Sequence, residues 1–225
     1  MNTSLAKQCL RNAKVNRLYH VNTVVTSLSF IKQNGLLSRQ TADYLGVPQT
    51  PQDSDEIDKK FNVYNDIFFD SVDIHERAKR PNEYGPVMFV YTIDVLDLLS
   101  EYDIGITKDN PIYWRDGMTE NEKYFNNALE MCIWFRKGDF NKHITIRNIS
   151  VPLTFDYLEE IVIENPGEAH IELLENAKYK IENALYSTGR NIPVRVRSCP
   201  SECKCFSQYT EFNRHYAYQR FKTEL

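Results

Sequence analysis

Apolar positions along this chain change period several times, and each change marks an element. Between Arg17 and Arg39, Leu18–Val21 reads as a strand, and Val24, Val25, Leu28 and Ile31 then recur on one helical face. Asn22 or Thr23 can cap that helix, and Gly35 falls where a left-handed stop residue is wanted. If the strand assignment holds, His20 and Asn22 point to one side, because strand side chains alternate.

The segment "YLGVPQTPQDSDEIDKKFN", with two prolines and a dense charge run, predicts an exposed loop. "VYNDIFFD" reads as a short strand through Phe69, and "VDIHERAKRPNEYG" as polar and turn-rich. "PVMFVYTI" is apolar throughout and suits a central strand, while "DVLDLLSEY" suits a short amphipathic helix. Thr119, three residues before Glu122, forms a capping box. It predicts one helix with Phe125, Leu129, Cys132 and Ile133 on a side, ended by Gly138. "HITIRNI" and "FDYLEEIVIENP" read as strands, the latter stopped by Asn165-Pro166-Gly167. "EAHIELLENAKYKIENAL" reads as a helix with Leu174, Ala177, Ile181 and Leu185 inward, and "IPVRVRS" as a half-exposed strand. The tail "QYTEFNRHYAYQRFK" is basic, aromatic and helical in pattern. Strands and helices without a βαβα rhythm predict an α+β fold. We expect one domain over residues 1–225, with a core at about 16–200 and a C-terminal basic aromatic extension at about 200–225.

Composition narrows this little. The chain is 42% hydrophobic with a net charge of -4, so it carries no overall basic signature of nucleic-acid binding. The N-terminus lacks the apolar region of a signal peptide, and no run reaches the roughly 20 apolar residues of a membrane helix. Together with an odd count of five cysteines, this points to a cytoplasmic, reduced protein without a membrane partner.

Several groups could carry chemistry. Glu160 lies in an otherwise apolar strand, where a carboxylate is costly unless it faces a cleft or a partner; paired with Glu159 it also reads as a solvated edge. Asp70, Asp73 and His75 could hold a divalent metal, but a turn with capping aspartates is the reading adopted. Cys199, Cys203 and Cys205 with His215 offer four zinc ligands. Their spacing is not a pair of CxxC knuckles, so free thiols are the default and no metal is assigned. Arg195, Arg197, Arg214, Arg220 and Lys222, interleaved with Tyr209, Tyr216, Tyr218 and Phe221, suit single-stranded nucleic acid or an ordinary solvated face plus core tyrosines.

Four segments together resemble the ADP-ribosyltransferases, and within them the DarT-like toxins that modify nucleic acids. "LYHVNT" resembles the family's first strand, "FIKQNGLLSR" the helix and stop that follow, "DIFFD" the second strand, and "LEEIVIENP" the late strand with the catalytic glutamate. The resemblance implies split mixed and antiparallel sheets with flanking helices, and NAD as co-substrate. It assigns His20 and Asn22 to holding NAD, Phe69 to stacking on nicotinamide, and Glu160 to catalysis, with Glu159 the neighbouring alternative. The family's arginine after the second strand is missing: Asp70-Ser71-Val72-Asp73 stands there, leaving Arg77 or Arg80 to take the role. Implied partners are single-stranded DNA or RNA and an antitoxin protein, in toxin–antitoxin or anti-phage defence. The alternatives are a transferase acting on protein and a non-catalytic, zinc-stabilised nucleic-acid-binding module.

Overall fold

The computed structural model describes residues 1–77, 82–99, 103–199, 203, 208–209 and 213–225. Its elements follow in the order α1 (Thr3–Asn12), β1 (Arg17–Asn22), α2 (Val24–Lys32), β2 (Gly35–Leu36), α3 (Arg39–Leu45), α4 (Asp55–Lys60), β3 (Ile67–Phe69), α5 (Ile74–Arg77) and β4 (Val87–Thr92). A 3₁₀ turn at Ile93–Leu99 leads to β5 (Asp103–Ile106), α6 (Glu120–Lys123), α7 (Ala128–Trp134), β6 (Ile144–Arg147), β7 (Leu153–Thr154), β8 (Leu158–Glu164), α8 (Ile171–Ser187), β9 (Val194–Arg197) and α9 (Arg214–Phe221). The fold is α+β.

One sheet runs β1-β4-β8-β9; its first pairs are antiparallel and its last is parallel. A second runs β3-β6-β5, and β2 pairs with β7. The first two sheets meet where Tyr19 bridges to Asp70. Register fixes the faces. His20 pairs with Phe89, which pairs with Ile161; Tyr19 pairs with Val90, which pairs with Glu160. Directly paired residues share a face. His20 therefore stands on the Phe89 face, against which α2 and α8 bury Phe30, Ile31, Ala177 and Ile181 in the main core. Glu160 stands on the opposite face, with Val90, Met88 and Val162.

Several sequence-based expectations need correction. Gly35 is not the left-handed stop; Asn34 is, at φ 57°. Gly35 sits in β2, where an added Cβ would lie 2.5 Å from the Leu153 carbonyl oxygen, so close strand approach is what requires glycine. The proline-rich loop contains α4, and Arg39 of α3 grips Asp55 at its start through two hydrogen bonds (2.9 and 2.6 Å). The capping box exists, with Thr119 N–H donating to Glu122 at 2.7 Å, but its helix lasts one turn. Tyr124 bridges to Thr107 and Phe125 N–H donates to Ile106 O (3.0 Å), so strand-like pairing breaks the run before Asn127 caps α7. Leu129 and Ile133 are consequently exposed.

The unforeseen α1 buries Ala6, Cys9 and Leu10 and is capped by Asn2. The odd cysteine count points to free thiols, yet a disulfide joins Cys9 of α1 to Cys132 of α7. Within the C-terminal extension, Tyr209, Ala217 and Phe221 are buried in the main core.

Candidate functional site

Two adjoining cavities open at the end of β1. The smaller, about 140 Å³, is lined by Tyr19, His20, Val21 and Asn22. These four are consecutive, so the cavity runs along β1. The larger, about 1060 Å³, shares Asn22, Gln52, Tyr84 and Asn110 with it and extends to Tyr216 and Arg220 of α9.

His20 is held at both ring nitrogens. Nδ1 lies 2.8 Å from the Phe68 carbonyl oxygen, which can only accept, so Nδ1 carries the proton. Nε2 then accepts from Asn22 Nδ2 at 2.7 Å. Burial pushes the His20 pKa below its ordinary value; the Phe68 carbonyl and Asp70 oppose this, and Arg39 reinforces it. The imidazole is therefore neutral. Phe30 (6.0 Å) and Phe69 (5.7 Å) pack against the ring. Phe69 is itself fully buried, turns edge-on to Tyr91 as well, and contributes to the lining of the smaller cavity beside His20. Its neighbour Phe68, half-buried, lines the cavity from the opposite side of the strand.

The other cavity walls carry residues that the sequence did not single out. Arg39 is bound to Asp55 and the Thr50 carbonyl. Asp58 has its pKa pushed up to about 6, mainly by burial, with the Ser54 hydrogen bond opposing. Asp66 is pushed up to about 7, again mainly by burial; its Oδ1 accepts from Asn148 N–H (2.9 Å), while Oδ2 makes no hydrogen bond and faces Arg147 Nε at 3.7 Å. His143 pairs with Asn110 (3.0 Å) and packs edge-on to Phe68. The signal that could have found Asp58 and Asp66 is two carboxylates within ten residues before the Phe68-Phe69 strand, but nothing in their spacing shows burial.

Glu160 lines neither cavity. Arg195 clamps it with two hydrogen bonds (2.9 and 3.0 Å), and this pairing holds its pKa below the ordinary carboxylate range, against partial burial. Glu159 is the extra residue of a bulge, because Val90 pairs with Glu160 and Tyr91 with Leu158; it binds Arg17 instead. The structure thus gathers His20, Asn22 and Phe69, and sets Glu160 across the sheet from them. Strand spacing places it about 10 Å from β1, two strands away.

Asp70, Asp73 and His75 do not converge. Asp70 faces His143 at 3.6 Å, Asp73 binds Arg197 and caps His75 N–H, and His75 turns to Glu164. His75 instead joins Cys199 and Cys203 in a cluster whose ligand atoms lie within 4.8 Å of one another. Cys205 and Arg80 lie outside the described residues, as does the side chain of Arg77. His215 lines the larger cavity. Arg195 and Arg197 are occupied by carboxylates, whereas Tyr216 and Arg220 stack at 4.3 Å on the wall of the larger cavity. Among the described residues no helix is long and apolar enough to cross a membrane.

No family model matches the chain, and no curated protein matches it either. Solved structures do. The chain is similar to Thermus sp. 2.9 DarT in complex with ADP-ribosylated ssDNA, at 11% identity and a TM-score of 0.52, over 82% of this chain and 95% of that one. It is similar to the same organism's DarT in complex with NAD+, at 10% identity and a TM-score of 0.50, over 82% and 96%. At this identity the likeness establishes the fold: this chain has the architecture of the DarT ADP-ribosyltransferases.

Proposed function

We propose that the chain is an NAD-dependent mono-ADP-ribosyltransferase that modifies a base of single-stranded DNA or RNA. We place it in a bacterial toxin–antitoxin or anti-phage system, acting in the cytoplasm and neutralised by an antitoxin protein. The observation that carries this reading is the position of His20 and Asn22. The first strand of a DarT-like fold presents them at the junction of two cavities, the larger of which suits a ligand of dinucleotide size.

The residues present fit NAD. Nε2 of the neutral His20 now accepts from the buried Asn22 amide and can accept from a ribose hydroxyl in its place, which releases that amide to the ligand as well. Half-buried Phe68 and buried Phe69 give an apolar wall, and we assign Phe69 to pack against nicotinamide while it also holds His20 in place. NAD supplies a ribose whose bond to nicotinamide breaks with positive charge developing on the sugar, as in glycoside hydrolysis. The chain's contribution is to bind, orient and stabilise that charge with a carboxylate. We assign that role to Glu160 on its place in the late strand, although it lines neither cavity; Arg195 holds its pKa below the ordinary carboxylate range. Asp58 already faces the smaller cavity and is the competing assignment. Tyr216 and Arg220 supply the stacking and cationic surface expected of an acceptor-strand wall. The net charge of -4 favours a protein acceptor instead, with the same NAD half.

Nicotinamide release decides the roles. Glu160→Gln is expected to abolish it with folding intact, and Asp58→Asn to leave most of it. The reverse result moves the carboxylate role to Asp58; release by neither variant nor wild type, with nucleic acid present, removes the reading.

A further inference from the structure

The cluster of His75, Cys199 and Cys203 lies outside both cavities, and three observations about it agree. The first is geometry. His75 Nδ1 lies 3.1 Å from Cys203 Sγ and 3.4 Å from Cys199 Sγ. Zinc at its usual bond lengths, about 2.3 Å to sulfur and about 2.0 Å to nitrogen, sets tetrahedral ligands roughly 3.6 Å apart. The present separations need only a slight opening to admit the ion.

The second is the far side of the imidazole. His75 Nε2 lies 2.7 Å from Glu164 Oε1, and both side chains are buried, at 4% and 2% exposure. A carboxylate there fixes the Nε2–H tautomer and leaves the Nδ1 lone pair directed at the two sulfurs. Glu164 is in turn anchored by Asn82 Nδ2 (2.9 Å) and Tyr209 OH (2.8 Å). A carboxylate oriented by two donors, orienting an imidazole that faces two thiols, is the outer-shell pattern of a metal-ligating histidine.

The third is chain order. The ligands come from α5, after β3, and from the segment after β9, 124 and 128 residues on. A metal there staples these two parts of the chain to the end of β8, which carries Glu164.

We propose that His75 Nδ1, Cys199 and Cys203 bind a structural zinc ion, with Glu164 as the carboxylate that orients His75. Thiolate and imidazole ligands select zinc over magnesium or calcium. On binding, each thiol loses its proton to solvent, and Nε2 keeps its own. Ile74, next to His75, lines the larger cavity, so the ion braces that part of its wall. The site stands independently of the transferase reading.

Native mass spectrometry and elemental analysis of the full chain, purified without a polyhistidine tag, test this, with alkylation confined to the denatured aliquot taken for the peptide map. We expect one zinc per chain and a mass raised by the ion less the thiol protons. Cys203→Ser is expected to lose the metal. Glu164→Gln is expected to keep it with affinity weakened roughly 10–100-fold in chelator competition. Cobalt-exchanged wild type should show thiolate-to-cobalt charge-transfer bands. A folded wild-type chain without bound zinc, or a Cys199–Cys203 disulfide in the peptide map, overturns the proposal. The wild-type measurement decides it even if a variant fails to fold.

Discussion

Asn22 donates to Nε2 of His20 at 2.7 Å, from two residues along the same strand. With Nδ1 committed to the Phe68 carbonyl, this contact makes His20 a neutral imidazole with a fixed ring plane. We expect Asn22→Asp to raise the His20 pKa, because a carboxylate replaces an amide beside Nε2. Imidazole NMR titration reads it directly. In the wild type, the depressed pKa means that the unfolded chain binds the proton first. The stability His20 contributes is full above its ordinary value of 6.5 and declines as pH falls below it.

Asp66 makes the opposite prediction. Its pKa of about 7 exceeds the ordinary 3.8, so the folded state holds a proton that the unfolded state releases. Stability should therefore fall as pH rises through this window. Asp66→Asn keeps an acceptor for Asn148 and is expected to stabilise the protein at pH 8 by on the order of 2–4 kcal/mol. At pH 4 the gain should vanish. Denaturant titrations at the two pH values check this.

Removing Arg195 tests Glu160 without touching its carboxylate. The pair is half-exposed, so Arg195→Met should cost less than about 1 kcal/mol of stability. If Glu160 must be ionised for turnover, the acidic limb of the pH–rate profile moves to higher pH.

The Cys9–Cys132 disulfide ties α1 to α7 across 123 residues. Under oxidising conditions Cys132→Ser is expected to lose about 2–4 kcal/mol. Under reducing conditions it should match the reduced wild type, as paired thermal melts would show.

The site was legible in the sequence only where it is local. Strand alternation put His20 and Asn22 on one side, and β1 does so because both residues belong to one extended segment. The same alternation could not relate His20 to Glu160, whose facing depends on the β1-β4-β8 register and on the bulge at Glu159. Phe69 was located in its strand, but its burial depends on Tyr91, which β4 of the other sheet brings edge-on to it. The capping box at Thr119 was visible, while the break at Tyr124 was not, because it is made by long-range pairing to Thr107. In the cysteine cluster the sequence suggested His215; the fold supplies His75 from 124 residues earlier.

Mass spectrometry of nucleic acid and total protein after incubation with NAD tests the central claim most directly. We expect free nicotinamide and an ADP-ribose mass increment on a base of single-stranded DNA or RNA, both lost in His20→Ala. Intact NAD, or the increment found on protein alone, would contradict it.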